Sequence, residues 1–468
     1  MRLKDIPKRL GYILGAQWTR DVSWTIFTIL LARHSQAILG QVVLALTYGY
    51  LVKTIVDVGL NDYLSSSFAR GDEHPRTLLG EVTCLKLAVL LPVLLGVWGL
   101  TQSQGYTLEL SLIVLAIALG LGLDAISDSF FVLCQARGRQ DVEMQIRVPA
   151  ALIGIGFGIA CVLFKAQPIL IALYKPLESF LCLFLAARSL HRSPLKGLGL
   201  ANLKDLAHKM RKGLLFTGMA VCAMFYNKIN VIFLKQYGGD AEVGGYGVAW
   251  ETIEGLSTLV SGALLGKVIF PLLTRLYEQD FQKFQDLCGR TAKSLWAAAL
   301  PIIFLICVES DRFLTFVYGD NFSNAVTAQQ LLTPCLATAF LHNLAAYAMI
   351  GMKQHRLLFF FYFSGLVVNL ICCATLIPIM PLEGTALALT ITKVWVAILT
   401  VSYFQIYARP MKLSEWFLLI GSGVAAFVLW YVLSPYVLRE VAEFVGLIPF
   451  LALFWAWRPP APFEREAQ

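Results

Sequence analysis

Apolar residues recur along this chain in windows of about twenty, parted by short polar or Pro/Gly breaks, with no long polar stretch between them. Each window is long enough to cross a hydrocarbon core of about 30 Å as a helix. Dividing the hydropathy at the breaks predicts fourteen spans: 11–32, 39–60, 82–101, 107–133, 145–165, 167–188, 213–235, 247–273, 294–317, 325–350, 357–377, 384–407, 414–433 and 437–457. The turns between spans one and two, five and six, and thirteen and fourteen are very short. The sidedness of Lys and Arg gives an independent check. With both termini cytoplasmic, 27 of the 38 basic residues fall on inside segments and five on outside segments, while six lysines lie within spans. Cytoplasmic loops of membrane proteins carry this excess, so the parity of fourteen is supported.

Composition agrees with the pattern. Of the 468 residues 57% are hydrophobic and 15% charged, against about 25% charged in a soluble globular chain. The pattern leaves no room for a separate soluble catalytic domain. The net charge of +8 is accounted for by the inside loops, and nucleic acid is not expected as a partner. The basic N-terminal stretch has no small-residue cleavage site after a short apolar core, so it reads as a cytoplasmic flank and the first helix as retained. Ten cysteines are scattered through the apolar helices without a CxxC pair or a nearby His at ligand spacing. They read as packing residues, and neither metal nor cofactor is expected.

The most basic connection follows span six, and within it LKDLAHKMRKGLL has the amphipathic pattern of a helix lying on the anionic inner leaflet. This divides the chain into helices one to six (1–190), a basic linker (191–212), helices seven to twelve (213–408) and two further helices with the tail (409–468). Weak internal similarity is expected of such a six-plus-six arrangement. Lys53 and Lys267 each precede a β-branched apolar run near the inner end of spans two and eight, and Lys175 and Lys393 lie near mid-depth in spans six and twelve.

A charge at membrane depth costs a few kcal/mol or more unless it meets water or a partner, so these residues are the candidate site. Lys53 and Lys267 are near enough to an interface to snorkel. Lys228 and Lys393 lie deeper. Lys175 has Glu178 three residues on, within reach on one helix face, and Asp57 stands four residues after Lys53 as its expected ion-pair partner. Among the acids, Asp124 and Asp128 are one turn apart in span four, and Glu251 and Glu254 lie close together in span eight. These carboxylates, with Glu178, could couple transport to an ion, although pairing with neighbouring lysines or solvation at helix ends is the favoured explanation. Tyr226, Asn227, Asn230, Tyr246 and Trp250 are candidates to line a sugar path, or else anchor the helices at the membrane surface.

Several stretches resemble a known family. IVDVGLNDYLSSSFARGDEHPRTLLGEV after span two, GGDAEVGGYGVAWETIEGL, VIFPLLTRLYEQDFQKF, FLTFVYGDNFSNAVTAQQLLTPCLATAFLHNL and NLICCATLIPIMPLEGTALALTITKVW are similar to polysaccharide repeat-unit flippases of the Wzx type. These form the polysaccharide transporter family within the multidrug/oligosaccharidyl-lipid/polysaccharide exporter superfamily. By itself IPIMPLEGTA is a Pro/Gly break opening span twelve, where Gly384 and Ala386 permit close packing. Members often carry an acidic residue or Asn where this chain reads YNKIN, with Lys228 at its centre.

The resemblance implies an all-α integral membrane protein with a MATE-like fold of two six-helix lobes related by a pseudo-two-fold, plus two C-terminal helices. It implies a bacterial inner-membrane transporter, not an enzyme, moving undecaprenyl-pyrophosphate-linked oligosaccharide such as O-antigen or exopolysaccharide units by alternating access. Membrane lipids, glycosyltransferases and a polymerase are the partners it suggests. The expected site is a central cationic cavity drawing on Lys228, Lys393, Lys53, Lys267 and Lys175, because a pyrophosphate needs cations in a low-dielectric setting. The rival readings are a multidrug or cation exporter or a lipid II flippase of the same superfamily, and a polysaccharide polymerase or ligase. The first would want acidic cavity residues, and the last a large basic outer loop.

Overall fold

A computed structural model describes residues 6–70, 75–191, 214–258, 265 and 269–457. The basic linker with its amphipathic segment, and Lys267, lie outside the described residues. The described chain is all-α. Its helices are α1 (Ile6–His34), α2 (Gln36–Asp57), α3 (Leu60–Arg70), α4 (Pro75–Ser103), α5 (Leu108–Ala136), α6 (Gln140–Leu163), α7 (Pro168–Ala172), α8 (Tyr174–His191), α9 (Leu214–Thr258), α10 (Phe270–Gln279), α11 (Phe281–Val308), α12 (Ser310–Tyr318), α13 (Ala325–Gly351), α14 (His355–Leu376), α15 (Pro381–Tyr407), α16 (Leu413–Leu433) and α17 (Arg439–Trp457).

Eleven helical segments among the described residues are long and apolar enough to cross a membrane. One of them is α9, which Gly239 divides at φ 82° and ψ −172°, a left-handed conformation that glycine adopts without a Cβ clash. Counting its halves separately, and adding α1 and α17, gives a helix at each of the fourteen expected positions. Span nine differs in detail. Its helix lies earlier in the chain as α11, ends at Val308 with Glu309 as its cap, and is followed by the separate short helix α12.

The chain divides into two compact units, residues 1–247 and 248–468. This boundary follows packing and falls inside α9, later than the lobe boundary that the linker's composition suggests. In unit 1, α5 packs against α2, α3, α4, α6, α7 and α8. About two-thirds of its apolar window is buried, and a helix buried on all sides must be apolar or internally paired all round. In unit 2, six spans later, α13 fills the same role against α10, α11, α12, α14 and α15. Each unit thus has one central helix, at corresponding places six spans apart.

Two local devices fix helix ends. In unit 1, α2 approaches the start of the second half of α9 so closely that a Cβ on Gly40 would lie 1.8 Å from the Asp240 carbonyl oxygen. Asp240 is held there by Lys235 at 2.5 Å and by the Gln41 amide at 3.2 Å. In unit 2, Arg439 at the start of α17 donates to both Asp311 carboxylate oxygens at 2.6 and 2.7 Å and pairs with Glu309 at 2.9 Å. The Asp311 carboxyl is held down to about 2, chiefly by the Arg439 hydrogen bonds.

Replacing Gly40 by Val forces α2 and α9 apart. Overpacking of this kind costs about 1–3 kcal/mol, and a lowered midpoint in thermal unfolding of the detergent-solubilised protein is the expected result. An unchanged midpoint would contradict the close crossing.

Candidate functional site

Unit 1 holds a set of paired charges around α5. Two glycines admit α8 to this hub. A Cβ on Gly120 of α5 would meet the Lys175 backbone at 2.9 Å, and one on Gly154 of α6 would meet Glu178 Cβ at 2.5 Å. The close approach places Lys175 Nζ 2.8 Å from Asp124 Oδ2 and 3.0 Å from Glu178 Oε2. One turn along α5, Asp128 receives Lys53 at 2.8 Å on one oxygen and Arg147 at 2.6 Å on the other. Arg147 also pairs with Glu143 at 3.0 Å, and its guanidinium lies 4.3 Å from the centre of the Phe131 ring. A fourth cation, Lys86 of α4, pairs with Asp57 at 2.6 Å.

The Lys175–Glu178 contact forms, and it is widened to Asp124. The expected Lys53–Asp57 pair is replaced. Lys53 is taken by Asp128 across the α2–α5 contact, and Asp57 serves Lys86, a buried cation that requires a full counter-charge. The two α5 carboxylates therefore each face cations. Arg147, which the sidedness count places on an inside segment, lies in the second turn of α6 and enters the same network.

Lys228 and Lys393 have different surroundings. Lys228, half-buried midway along the first half of α9, places its ammonium 5.1 Å from the centre of the Tyr50 ring. Lys393, midway along α15, lies 4.7 Å from the centre of the Trp250 ring. A ring face attracts an ammonium through its quadrupole. The Trp250 indole Nε1–H is buried and has no hydrogen-bond partner among the described residues.

The other proposed lining residues separate. Asn230 is fully buried and its amide donates to the Tyr246 hydroxyl at 2.7 Å, so the two brace the halves of α9 against each other and offer nothing to an open path here. Tyr226 is also buried. Asn227 donates to the Ala223 carbonyl at 2.7 Å, leaving its buried side-chain oxygen without a partner among the described residues. Glu251 and Glu254 are partly exposed on the second half of α9, and Glu251 lies within electrostatic range of Tyr318.

Unit 2 contributes a polar residue that the sequence reading does not single out. His342 of α13 sits between the Thr400 hydroxyl at 2.9 Å and the Tyr362 hydroxyl at 3.2 Å. Thr400 directs its proton to the Val396 carbonyl at 2.9 Å. It must therefore accept from His342 Nδ1–H, leaving Nε2 to accept from Tyr362. A histidine alone in an apolar span is the signal that was available. No metal-binding group of three or more His, Cys, Asp or Glu occurs among the described residues.

Many long apolar helices, with charges gathered on helix faces, define the class as a multi-pass membrane protein. Residues 30–327 match the family described as polysaccharide biosynthesis protein, and the chain belongs to that family. No curated protein sequence matches it. In fold it is similar to the lipid II flippase MurJ in an inward closed conformation, with a TM-score of 0.72 and 11% identity over 95% of this chain and 97% of that one. It is also similar to an inward-facing multidrug resistance MATE family transporter of the MOP superfamily, at 0.65 and 14% over 83% and 94%, and to a MATE transporter from Vibrio cholerae, at 0.58 and 11% over 87% and 99%. At these identities the likeness is one of fold.

The pairing around α5 makes a graded prediction for stability. Asp128→Ala takes the carboxylate from Lys53 and leaves Arg147 with Glu143 alone, and is expected to cost about 2–4 kcal/mol, near the cost of breaking a buried pair. Lys53→Met leaves Asp128 with Arg147 and should cost less than half as much. Thermal unfolding of the two variants checks the order, and equal effects would contradict the shared role of Asp128.

Proposed function

We propose that this protein is a flippase that moves undecaprenyl-pyrophosphate-linked polysaccharide repeat units across the bacterial inner membrane by alternating access. The observation that carries this reading is the Lys393–Trp250 pair. It joins a cation for a phosphate, an aromatic face for a sugar ring, and an indole N–H whose burial without a partner costs about 1–3 kcal/mol until a hydroxyl or water meets it. Lys228 over Tyr50 repeats the cation and ring in unit 1. Membership of a polysaccharide biosynthesis family supports the glycan, and the fold shared with transporters supports movement in place of catalysis.

The substrate's isoprenoid tail requires an apolar path that need not leave the lipid. Unit 2 has a groove of about 290 Å³ between α11 and α17, lined by Ala297, Pro301, Phe444, Leu447, Phe450, Leu451 and Phe454, which suits such a chain. A lipophilic cation, the substrate of a multidrug exporter, would need carboxylates to spare, and Asp124 and Asp128 are matched by Lys175, Lys53 and Arg147. With both termini cytoplasmic, as the basic loops suggest, glycosyltransferases would deliver the loaded lipid from the inner side and a polymerase would receive it outside.

Lys228→Ala and Lys393→Ala are each expected to lower export of the polymer at least about tenfold, the effect of losing one charge-assisted contact of about 1.5–3 kcal/mol. Both proteins should remain folded and inserted. Surface polysaccharide, measured in cells that depend on this protein for export, reads the result. Normal polymer in both variants would remove the two lysines from the substrate path.

A further inference from the structure

Lys86 is the most deeply buried charged side chain among the described residues, with 0% exposure. Its ammonium lies 2.6 Å from Asp57 Oδ1 at the end of α2, 2.9 Å from Asn61 Oδ1 of α3, 2.7 Å from the Ala125 carbonyl oxygen of α5, and 2.8 Å from Ser129 Oγ of the same helix. Ser129 Oγ in turn donates to Asn61 Oδ1 at 2.8 Å, so its lone pair is what faces Lys86. Four oxygens from three helices converge on a group that has only three protons to give. Such a shell is fitted to a centre of positive charge more than to three directed donors.

We infer that this is a monovalent-cation site filled by the chain's own ammonium. The donor set is all oxygen, one carboxylate with an amide, a backbone carbonyl and a hydroxyl, which is the chemistry that hard cations prefer. It carries a single negative charge, which one monovalent ion balances and a divalent ion would exceed. The consequence is local. The inner end of unit 1 closes α2, α3 and α5 around Asp57 without an exchangeable ion, because Lys86 brings a tethered one from α4. Shortening Lys86 opens the cage to sodium, potassium or ammonium.

Thermal unfolding of detergent-purified protein in the chlorides of sodium, potassium, ammonium and choline, at matched ionic strength, tests this. Wild-type protein unfolds at the same temperature in all four. Lys86→Ala is less stable in choline and gains at least about 4 °C, saturably, in one or more of the small cations, the shift that mass action gives a filled site. Adding Asp57→Asn to that variant abolishes the gain. A Lys86→Ala protein with one midpoint in all four salts overturns the assignment, as does one that cannot be recovered folded in any of them. A wild-type midpoint that rises with sodium or potassium and loses that response on Asp57→Asn overturns it too, since the cage would then hold a free ion beside the lysine.

Discussion

A charge in hydrocarbon must find an opposite charge or water, and the arrangement of unit 1 follows from that one constraint. Helix α5 is central because it carries two carboxylates one turn apart, and every cation packed on them arrives from a different helix: Lys175 from α8, Lys53 from α2 and Arg147 from α6. The glycines on α5 and α6 matter for the same reason. They admit α8 to the distance at which Lys175, already holding Glu178 on its own helix, meets Asp124. Breaking such a set one residue at a time leaves an uncompensated buried charge, whereas the intact set is close to neutral. The network therefore acts as a registry device that fixes how four helices meet.

Unit 2 repeats the architecture with a different solution. Its hub α13 carries no equivalent pair of carboxylates at mid-helix. It offers His342, bonded to Thr400 and Tyr362, and nearby Asn369 donates to Thr392 at 3.1 Å. Neutral hydrogen bonds of this kind cost less to bury than ions. Both units nevertheless set a lysine against an aromatic ring, Lys228 at Tyr50 in the first and Lys393 at Trp250 in the second, and the proposed function draws on these two places.

The fold was legible because hydropathy, loop charge and Gly/Pro breaks all report the same physical fact, the thickness of the membrane. Among the described residues helices stand at the expected positions, span nine being displaced, and the predicted gap between 235 and 247 holds the break at Gly239. The site was legible by residue and not by pairing. Spacing along one helix sees Lys53 and Asp57 as neighbours, but each is nearer to a partner on another helix, and no single-helix rule reveals Asp128 or Lys86. Lys86 lies in a continuous apolar run, where its charge is the one clue to its cage. Arg147 counts with the inside segment by sidedness although it stands at the start of the predicted span 145–165, and the helix begins five residues earlier, which places it in the second turn. Asn230 and Tyr246 looked like path-lining groups by type, and they are interior because the fold spends their hydrogen bonds on each other.

The central claim is that the transported lipid is recognised through its charged phosphate head as well as its glycan. The most direct measurement is movement in proteoliposomes of a fluorescent undecaprenyl-pyrophosphate oligosaccharide, against a neutral glycolipid with the same tail and sugars, read by a membrane-impermeant quencher. The account predicts protein-dependent movement of the pyrophosphate lipid and little of the neutral one. Equal movement of both, or of neither, would contradict it.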